Sequence, residues 1–496
     1  WLKELDYTLL QGSVDVETED VIYDSRKAAP GKVFVAMKGI RVDGHSFIPQ
    51  VLKAGVRVLV TERPVEEELK NSGLSEEELK QVTVVMVEEG RHALALLSAA
   101  RFDHPAKKLV MIGVTGTKGK TTTTHMIRAI LLAAGKKVGM IGTTGTVIGD
   151  VVTPTLNTTP ESYELHQAFA QMVEAGCEYA VMEVSSQGIK MHRTDGLYFN
   201  YAIFTNISPD HIGPGEHADF EEYLYYKTRL LNMCGIGLVN KDDKHAPQII
   251  KAANCELYTY SEESKEADFV ASDIRYVSQP DFVGTEFHIS GKYDMEVRLG
   301  IPGLFNVVNA LAAVSVCSFL GLDQARISHA LENIRVNGRM EIVYTSERCT
   351  VLVDYAHNAV SMESLLSTLR DYKPKRLVCV FGCGGNRSKD RRYSMGEIGG
   401  KMADLSIITA DNSRYEKVED IIADIRGSIE KTGGKFIEIP DRREAIRYSI
   451  LHAQPGDMVA VIGKGHEDYQ EINGVRHHFL DREVIEETVK ELGEKA

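Results

Sequence analysis

With 496 residues, 43% of them hydrophobic and 26% charged, the chain is globular in composition and too long for one core, so about three domains are expected. Its formal net charge of −14 excludes the basic footprint of a nucleic-acid-binding protein, though not a phosphorylated small substrate, which helix ends can bind in an acidic chain. No apolar run reaches the roughly 18 residues of a membrane span, and the seven scattered cysteines read as reduced cytosolic thiols, Cys379 and Cys383 lying closest but without metal-ligand company.

Trp1 in place of methionine leaves room for an upstream segment, and no signal peptide follows it. Residues 1–108 read as a small α/β unit. Strands are expected at Val33 to Met37, Val56 to Val60 and Val82 to Val87, and helices at Ile48 to Ala54 and Arg91 to Phe102. Glu66 to Lys80 is dense in charge and reads as a solvated surface excursion. The Asp24-Ser25-Arg26 and Asp43-Gly44-His45 turns are ligand candidates, although turn chemistry alone accounts for both.

Residues 109–337 open on Leu109-Val110-Met111-Ile112, a buried strand, then Gly113-Val114-Thr115-Gly116-Thr117-Lys118-Gly119-Lys120-Thr121, then a helical pattern. Strand, glycine loop and helix together mean phosphate binding. Loop N–H groups face the anion, Lys120 neutralises charge, and Thr121 reaches a bound Mg²⁺. Five residues, not the usual four, separate Gly113 from Gly119. Further strands are expected at Val138 to Gly142, Tyr179 to Val184, Tyr201 to Asn206, Leu238 to Asp243 and Thr285 to Leu299, the last alternating like a half-exposed antiparallel sheet. Glu183 ends its strand, where α/β sheets bind ligands, so it is a candidate metal acid; a solvent-exposed glutamate is the plainer reading. Asp210-His211 is a turn or a second metal ligand, and Lys227, a lone lysine on a helix, signals nothing by itself. Asn306 and Asn309 sit one turn apart on the helix opened by Gly303. Their amides suit an adenine edge, with N-capping as the alternative for Asn306.

Residues 338–496 alternate strand and helix from Val351 onward, as a doubly wound parallel sheet does. The loops after its strands carry Gly382 to Arg387 with Arg391 and Arg392, then Asp411 to Arg414, Asp441-Arg442 and Gly463 to Asp468. They are expected at one sheet edge. Arginine forks suit a carboxylate and Glu467 suits an ammonium, so a zwitterionic, amino-acid-like ligand fits; solvated surface charge is the alternative.

Together these pieces resemble the Mur ligases, the ATP-dependent peptide-bond-forming enzymes of peptidoglycan synthesis, and the MurE branch among them. The resemblance spans essentially the whole chain. It rests on the loop through Thr121, Glu183-Val184-Ser185-Ser186, Asn206 to His211, Gly303 to Asn309, Gly338-Arg339-Met340-Glu341, Asp354 to His357 and Gly463 to Gln470. It implies three α/β domains: a small one for the UDP end of the substrate (1–108), a central P-loop ATPase with a parallel sheet (109–337) and a Rossmann-like, doubly wound one for the amino acid (338–496). The implied reaction phosphorylates the γ-carboxylate of UDP-MurNAc-L-Ala-D-Glu with ATP and Mg²⁺, and a diamino acid attacks the acyl phosphate. Clustered positive charge and metal suit such a transfer.

By the same resemblance Gly116, Thr117, Lys118, Gly119, Lys120, Thr121 and Thr122 cradle ATP, Asn306 and Asn309 face its adenine, Asp354 its ribose and Arg339 its γ-phosphate. Thr121, Glu183, His211 and a carbamylated Lys227 serve Mg²⁺. Ser25, Asn157, Thr158, Thr159, Ser185, Gln187 and Arg193 hold the UDP-linked substrate. Arg392, Asp411, Asn412, Arg414, Gly463 and Glu467 hold the amino acid. Meso-diaminopimelate is favoured over L-lysine because Arg414 is kept, although Ser413 stands where such enzymes carry proline. Lys118 replaces the usual asparagine, and no proline follows His357-Asn358. A monomer in the cytoplasm is implied. The alternatives are a Mur-like amide ligase such as folylpolyglutamate synthase, which lacks a domain like residues 1–108, and an ATP-hydrolysing switch without ligation.

Overall fold

Alternating apolar residues divide the first sheet's two faces, and a computed structural model describing residues 1–39 and 42–493 shows how. Four strands run parallel in the order Thr83–Met86, Val58–Thr61, Lys32–Val35 and Asp20–Ile22, with Thr8–Gln11 antiparallel at one edge. Val33, Val35, Val60 and Val85 pack under the helix Gly90–Arg101, while Phe34, Leu59 and Val84 face Ile48–Lys53 on the other side. The stretch expected as a solvated excursion instead holds two short helices, Glu66–Lys70 and Glu76–Lys80. The second starts in a capping box between Ser75 and Glu78, which satisfies N–H groups that charge density alone does not reveal. His45 is no ligand candidate in this arrangement. Its ring is buried, with Nδ1 2.6 Å from Asp43 Oδ1 and Nε2 accepting from Glu62 N at 3.0 Å.

The chain divides into two compact units, Trp1–Asp268 with Ala312–Leu320, and Phe269–Leu311 with the chain from Gly321. In the first unit a parallel sheet runs in the order Glu256–Ser261, Cys234–Asn240, Phe199–Phe204, Val110–Thr115, Tyr179–Glu183 and Val138–Gly142, and a hairpin, Gly145–Ile148 and Val151–Thr153, extends it antiparallel. The strand leading into the phosphate loop therefore lies between those ending at Glu183 and Phe204. Three chemistry-bearing loops become neighbours at one carboxyl edge, where such sheets bind ligands.

In the second unit Phe269–Gln279, Phe282–Gly291 and Met295–Leu299 form an antiparallel sheet, one strand more than alternation alone indicates. The last sheet has the order Glu341–Thr345, Cys349–Asp354, Asp457–Ile462, Arg376–Phe381, Leu405–Ile408 and Phe436–Glu438, parallel except for the first strand. Arg442, expected on a substrate loop, is fully buried instead. Its guanidinium forks onto Asp481 at 2.7 and 2.6 Å and also donates to Ala410 O and Ile462 O, so it ties two strand ends together from below. Arg442→Ala leaves a buried carboxylate unpaired and is expected to cost about 3–5 kcal/mol. Replacing both partners by leucine should cost clearly less in the same urea titration. Among the described residues no helix is long and apolar enough to cross a membrane.

Candidate active site

The phosphate loop has a shape that only glycine permits at two points. Gly116 sits at φ 142 with Thr205 Oγ1 1.9 Å from where a Cβ would stand, and Gly119, at φ 86, precedes the helix Lys120–Ala133. The next strand end pins the loop: Thr117 N donates to Asn206 O at 2.8 Å, Lys118 N to Asn206 Oδ1 at 2.9 Å, and Thr205 Oγ1 to Lys118 O at 2.6 Å. Lys118 itself is exposed, and Thr122 is buried in the first helical turn. Lys120 Nζ donates to Gly116 O at 2.9 Å and Thr117 O at 3.1 Å, folded over the loop that an anion would fill.

Lys227 points at the same place. Its side chain is 2% exposed, its Nζ donates to Gly116 O at 2.7 Å and lies 4.7 Å from the centre of the Tyr223 ring, one helical turn back. Among the described residues it has no ion pair with a carboxylate. Burial, and then the nearby Lys120 charge, push its pKa well below the usual 10.5. Glu183 is equally unlike a solvated strand-end acid. It is 1% exposed and accepts from Thr121 Oγ1 at 3.0 Å, Thr143 N at 2.9 Å and Thr143 Oγ1 at 3.3 Å. His211 is exposed at φ 53, its ring 6.1 Å from that of Tyr223 and its Nδ1 3.3 Å from Glu216 Oε1, with no hydrogen bond to Glu183 among the described residues.

Four of the residues expected around the UDP-linked substrate cluster. Thr159 Oγ1 donates to Glu183 O and accepts from Ser185 N, Arg193 Nη1 donates to Thr159 O at 3.0 Å, and Thr158 Oγ1 lies 3.2 Å from Thr143 Oγ1. Ser185 caps the helix Ser186–Lys190. Gln187 buries its Oε1 without a hydrogen-bond partner among the described residues, whereas Asn157 is exposed. Ser25 begins a separate turn, Ser25–Lys27, without a hydrogen bond to these residues. Thr143 carries no expected role in the sequence, and Tyr223 enters there only through its spacing to Lys227. Gly142-Thr143-Thr144 at a strand end signals the first, and the i, i+4 spacing to Lys227 signals the second.

In the second unit Asn306 and Asn309 do share a face, both buried. Asn306 lies inside the helix Leu304–Phe319 rather than capping it; its Nδ2 donates to Pro302 O at 2.7 Å and its Oδ1 accepts from Asn309 at 3.2 Å. Asp354 accepts from Met340 N and Ala356 N, both at 2.8 Å, with burial raising its pKa against those bonds. Arg339 lies over the Tyr355 ring at 4.9 Å, and His466 packs on the same ring at 5.1 Å.

The amino-acid candidates separate into two kinds. Arg392 is 1% exposed, with Nη2 on Glu416 at 2.8 Å and Nη1 on Asp424 at 2.9 Å, so its fork is already occupied. Arg414 is partly exposed at φ 51; Nη1 donates to Gly385 O at 2.7 Å and Nε is 3.5 Å from Glu471. Asn412 Nδ2 donates to Glu467 at 3.0 Å, and a Cβ on Gly463 would stand 2.8 Å from Asp411 Oδ2. Lys464, fully buried, donates to Tyr469 O and reaches Asn412 and Glu467 at 3.4 Å. Charges of both signs thus meet on these loops.

Comparison with known proteins decides the family. Residues 18–102 match the Mur ligase family catalytic domain, 114–317 the Mur ligase middle domain and 338–465 the Mur ligase glutamate ligase domain. A UDP-N-acetylmuramoyl-L-alanyl-D-glutamate–2,6-diaminopimelate ligase of Caldanaerobacter subterraneus subsp. tengcongensis is 39% identical over 97% of each chain. The chain belongs to the Mur ligase family.

Members of that family are ATP-dependent, ADP-forming ligases, and this chain is one of them. A Clostridium perfringens protein of the same name is 37% identical over 98% of this Mur ligase. A solved structure named for the same ligase superposes at TM-score 0.74 with 29% identity, covering 97% of this chain and 98% of its own. Folylpolyglutamate synthase of Mycobacterium tuberculosis shares the fold at TM-score 0.58 and 18% identity, but over only 75% of this chain.

Proposed function

We propose that this Mur ligase adds meso-diaminopimelate to the D-glutamyl γ-carboxylate of UDP-MurNAc-L-Ala-D-Glu, as a cytoplasmic monomer with residues 1–108, 109–337 and 338–496 as its domains. The convergence of Lys120 and Lys227 on Gly116 O beside buried Glu183 carries the reading. The Lys120 ammonium and the loop N–H donors there match the charge of a triphosphate, so Lys120 and residues 116–122 hold its β- and γ-phosphates. Arg339 and Asp354 serve γ-phosphate and ribose, and Asn306 and Asn309 the adenine.

Thr121, Glu183, His211 and a carbamylated Lys227 are the groups that would hold Mg²⁺. Three offer oxygen donors, as that ion prefers, and the unpaired amine of Lys227 is the place where a carbamate restores charge balance. The ion, when bound, neutralises phosphate charge. The substrate carboxylate oxygen bonds to the γ-phosphorus and ADP leaves; the incoming amine then attacks the acyl carbon, phosphate leaves and the amine sheds a proton. Thr158, Thr159, Ser185, Gln187 and Arg193, with Asn157 and Ser25, orient the UDP-linked acceptor.

Relatives named for diaminopimelate ligation, together with a partly exposed Arg414, favour that amino acid over lysine. Asp411, Asn412, Gly463 and Glu467 frame the amino acid, while Arg392, locked by Glu416 and Asp424, supports the loop instead of offering a fork. Arg414→Ala is expected to lower kcat/KM for diaminopimelate about 10- to 100-fold, the worth of one charged hydrogen-bonded contact, with little effect on lysine use. Phosphate release that is indifferent to UDP-MurNAc-L-Ala-D-Glu contradicts ligation, and a preference of the unaltered protein for lysine contradicts the substrate assignment.

A further inference from the structure

One cluster of ligating side chains lies outside everything assigned above. His92, on the helix Gly90–Arg101, places Nδ1 2.6 Å from Asp195 Oδ2, and His192 places its own Nδ1 2.8 Å from the same oxygen. The two rings stand 6.3 Å apart at 79°, so they approach the carboxylate from different directions instead of stacking. His192 adopts a left-handed backbone, φ 56, held by its N–H to Ile189 O and by Asp195 N to its own carbonyl; that turn folds the ring back toward Asp195. All three side chains are partly exposed, at 46%, 40% and 23%.

We propose that His92, His192 and Asp195 form a binding site for a transition-metal dication of the zinc class. Two imidazole nitrogens and a carboxylate oxygen leaving one position to water is a recurring zinc donor set, and so nitrogen-rich a set disfavours Mg²⁺. Tetrahedral bonds of about 2.0–2.2 Å put donor atoms ~3.3–3.6 Å apart, so the two N···O contacts must open by roughly half to one ångström. Partly exposed side chains can do that by small rotations. His192 also lines an open cleft of about 380 Å³ in which Glu62, Glu88 and Glu89 balance Lys38, Arg91 and Lys190, and the opening admits the fourth ligand. A bound ion cross-links the turn that carries Arg193 to a helix of the N-terminal sheet. Arg193 already spans Thr159 and Glu161, so the ion stiffens that turn from its other side.

Co²⁺ titrated into the EDTA-stripped full chain without nucleotide tests the site through the visible absorption of tetrahedral cobalt. One equivalent is expected to give the band, Zn²⁺ to abolish it by displacement, and His92→Ala to weaken binding at least about ten-fold. His192→Asn, which keeps a residue tolerant of the left-handed backbone, should do the same, with the metal-free melting temperatures of both variants close to that of the parent. A parent titration without the band, or a midpoint that neither variant moves, overturns the site.

Discussion

Lys227→Met is expected to slow ligation severely and at the same time raise the melting temperature in bicarbonate-free buffer. Burying an ammonium without an ion-pair partner is costly, and among the described residues Lys227 donates to Gly116 O and packs on the Tyr223 ring, with Lys120 donating to the same carbonyl. Methionine fills similar space without the charge. The folded chain releases the Lys227 proton at a pH well below 10.5, whereas the unfolded chain keeps it to about pH 10.4. Parent stability therefore climbs as pH rises through that window, because the unfolded state binds more protons there, and the climb should vanish in Lys227→Met. The released amine is also the form that reacts with CO₂ to give a carbamate, so added bicarbonate should raise parent activity and not that of the variant. Loss of about 10²–10³ in kcat is expected, the scale of removing one electrostatic stabiliser. Phosphate release and thermal melts from pH 6 to 10 measure both effects. A variant that stays active, or one less stable than the parent throughout, contradicts this account of the lysine.

Glu183→Gln should fold normally and lose a comparable 10²–10³ in kcat, with a raised Mg²⁺ requirement. The amide can keep its oxygen where Oε1 accepts from Thr121 and Thr143 N, and turn its NH₂ toward Thr143 Oγ1, so the hydrogen bonds survive and only the charge is lost. Gly142→Ala tests the same carboxylate from the other side, because a Cβ there would lie 2.3 Å from Glu183 Oε1 and must displace it. Its loss of activity should exceed its loss of stability. Steady-state ADP formation against Mg²⁺, beside melting curves, separates these terms, and a Glu183→Gln enzyme retaining more than a tenth of parent activity at saturating Mg²⁺ would falsify the assignment.

Most elements of the sheets were readable because their signals are local. The apolar run before Gly113 and the strict strand–helix alternation after Val351 each reflect burial on both faces of a parallel strand. The long strand Phe269–Gln279 escaped because its second half is largely exposed and carries little apolar pattern. The helices within Glu66 to Lys80 escaped because capping, not hydrophobicity, starts the second of them. Of the site, the loop glycines and Lys120 announce themselves by spacing. The neighbours Thr143, Thr205 and Tyr223 do not, since each reaches the site from a different strand or helix.

Glycine spacing and hydrophobic period are properties of neighbouring residues, so they suffice to mark a multi-domain α/β protein with a phosphate loop and a doubly wound C-terminal part, and the whole-length resemblance points to the Mur ligases. What the charged residues do depends on the packed chain. Lys227, which signals nothing by itself on its helix, is buried on Gly116 O; Glu183, a metal acid or a solvated strand end by sequence, is enclosed by three donors; Arg442 and Arg392 read as ligand arginines and are held by Asp481 and by Glu416 with Asp424. A charge takes its role from its desolvation and its partner, and both are set by segments far away in the chain.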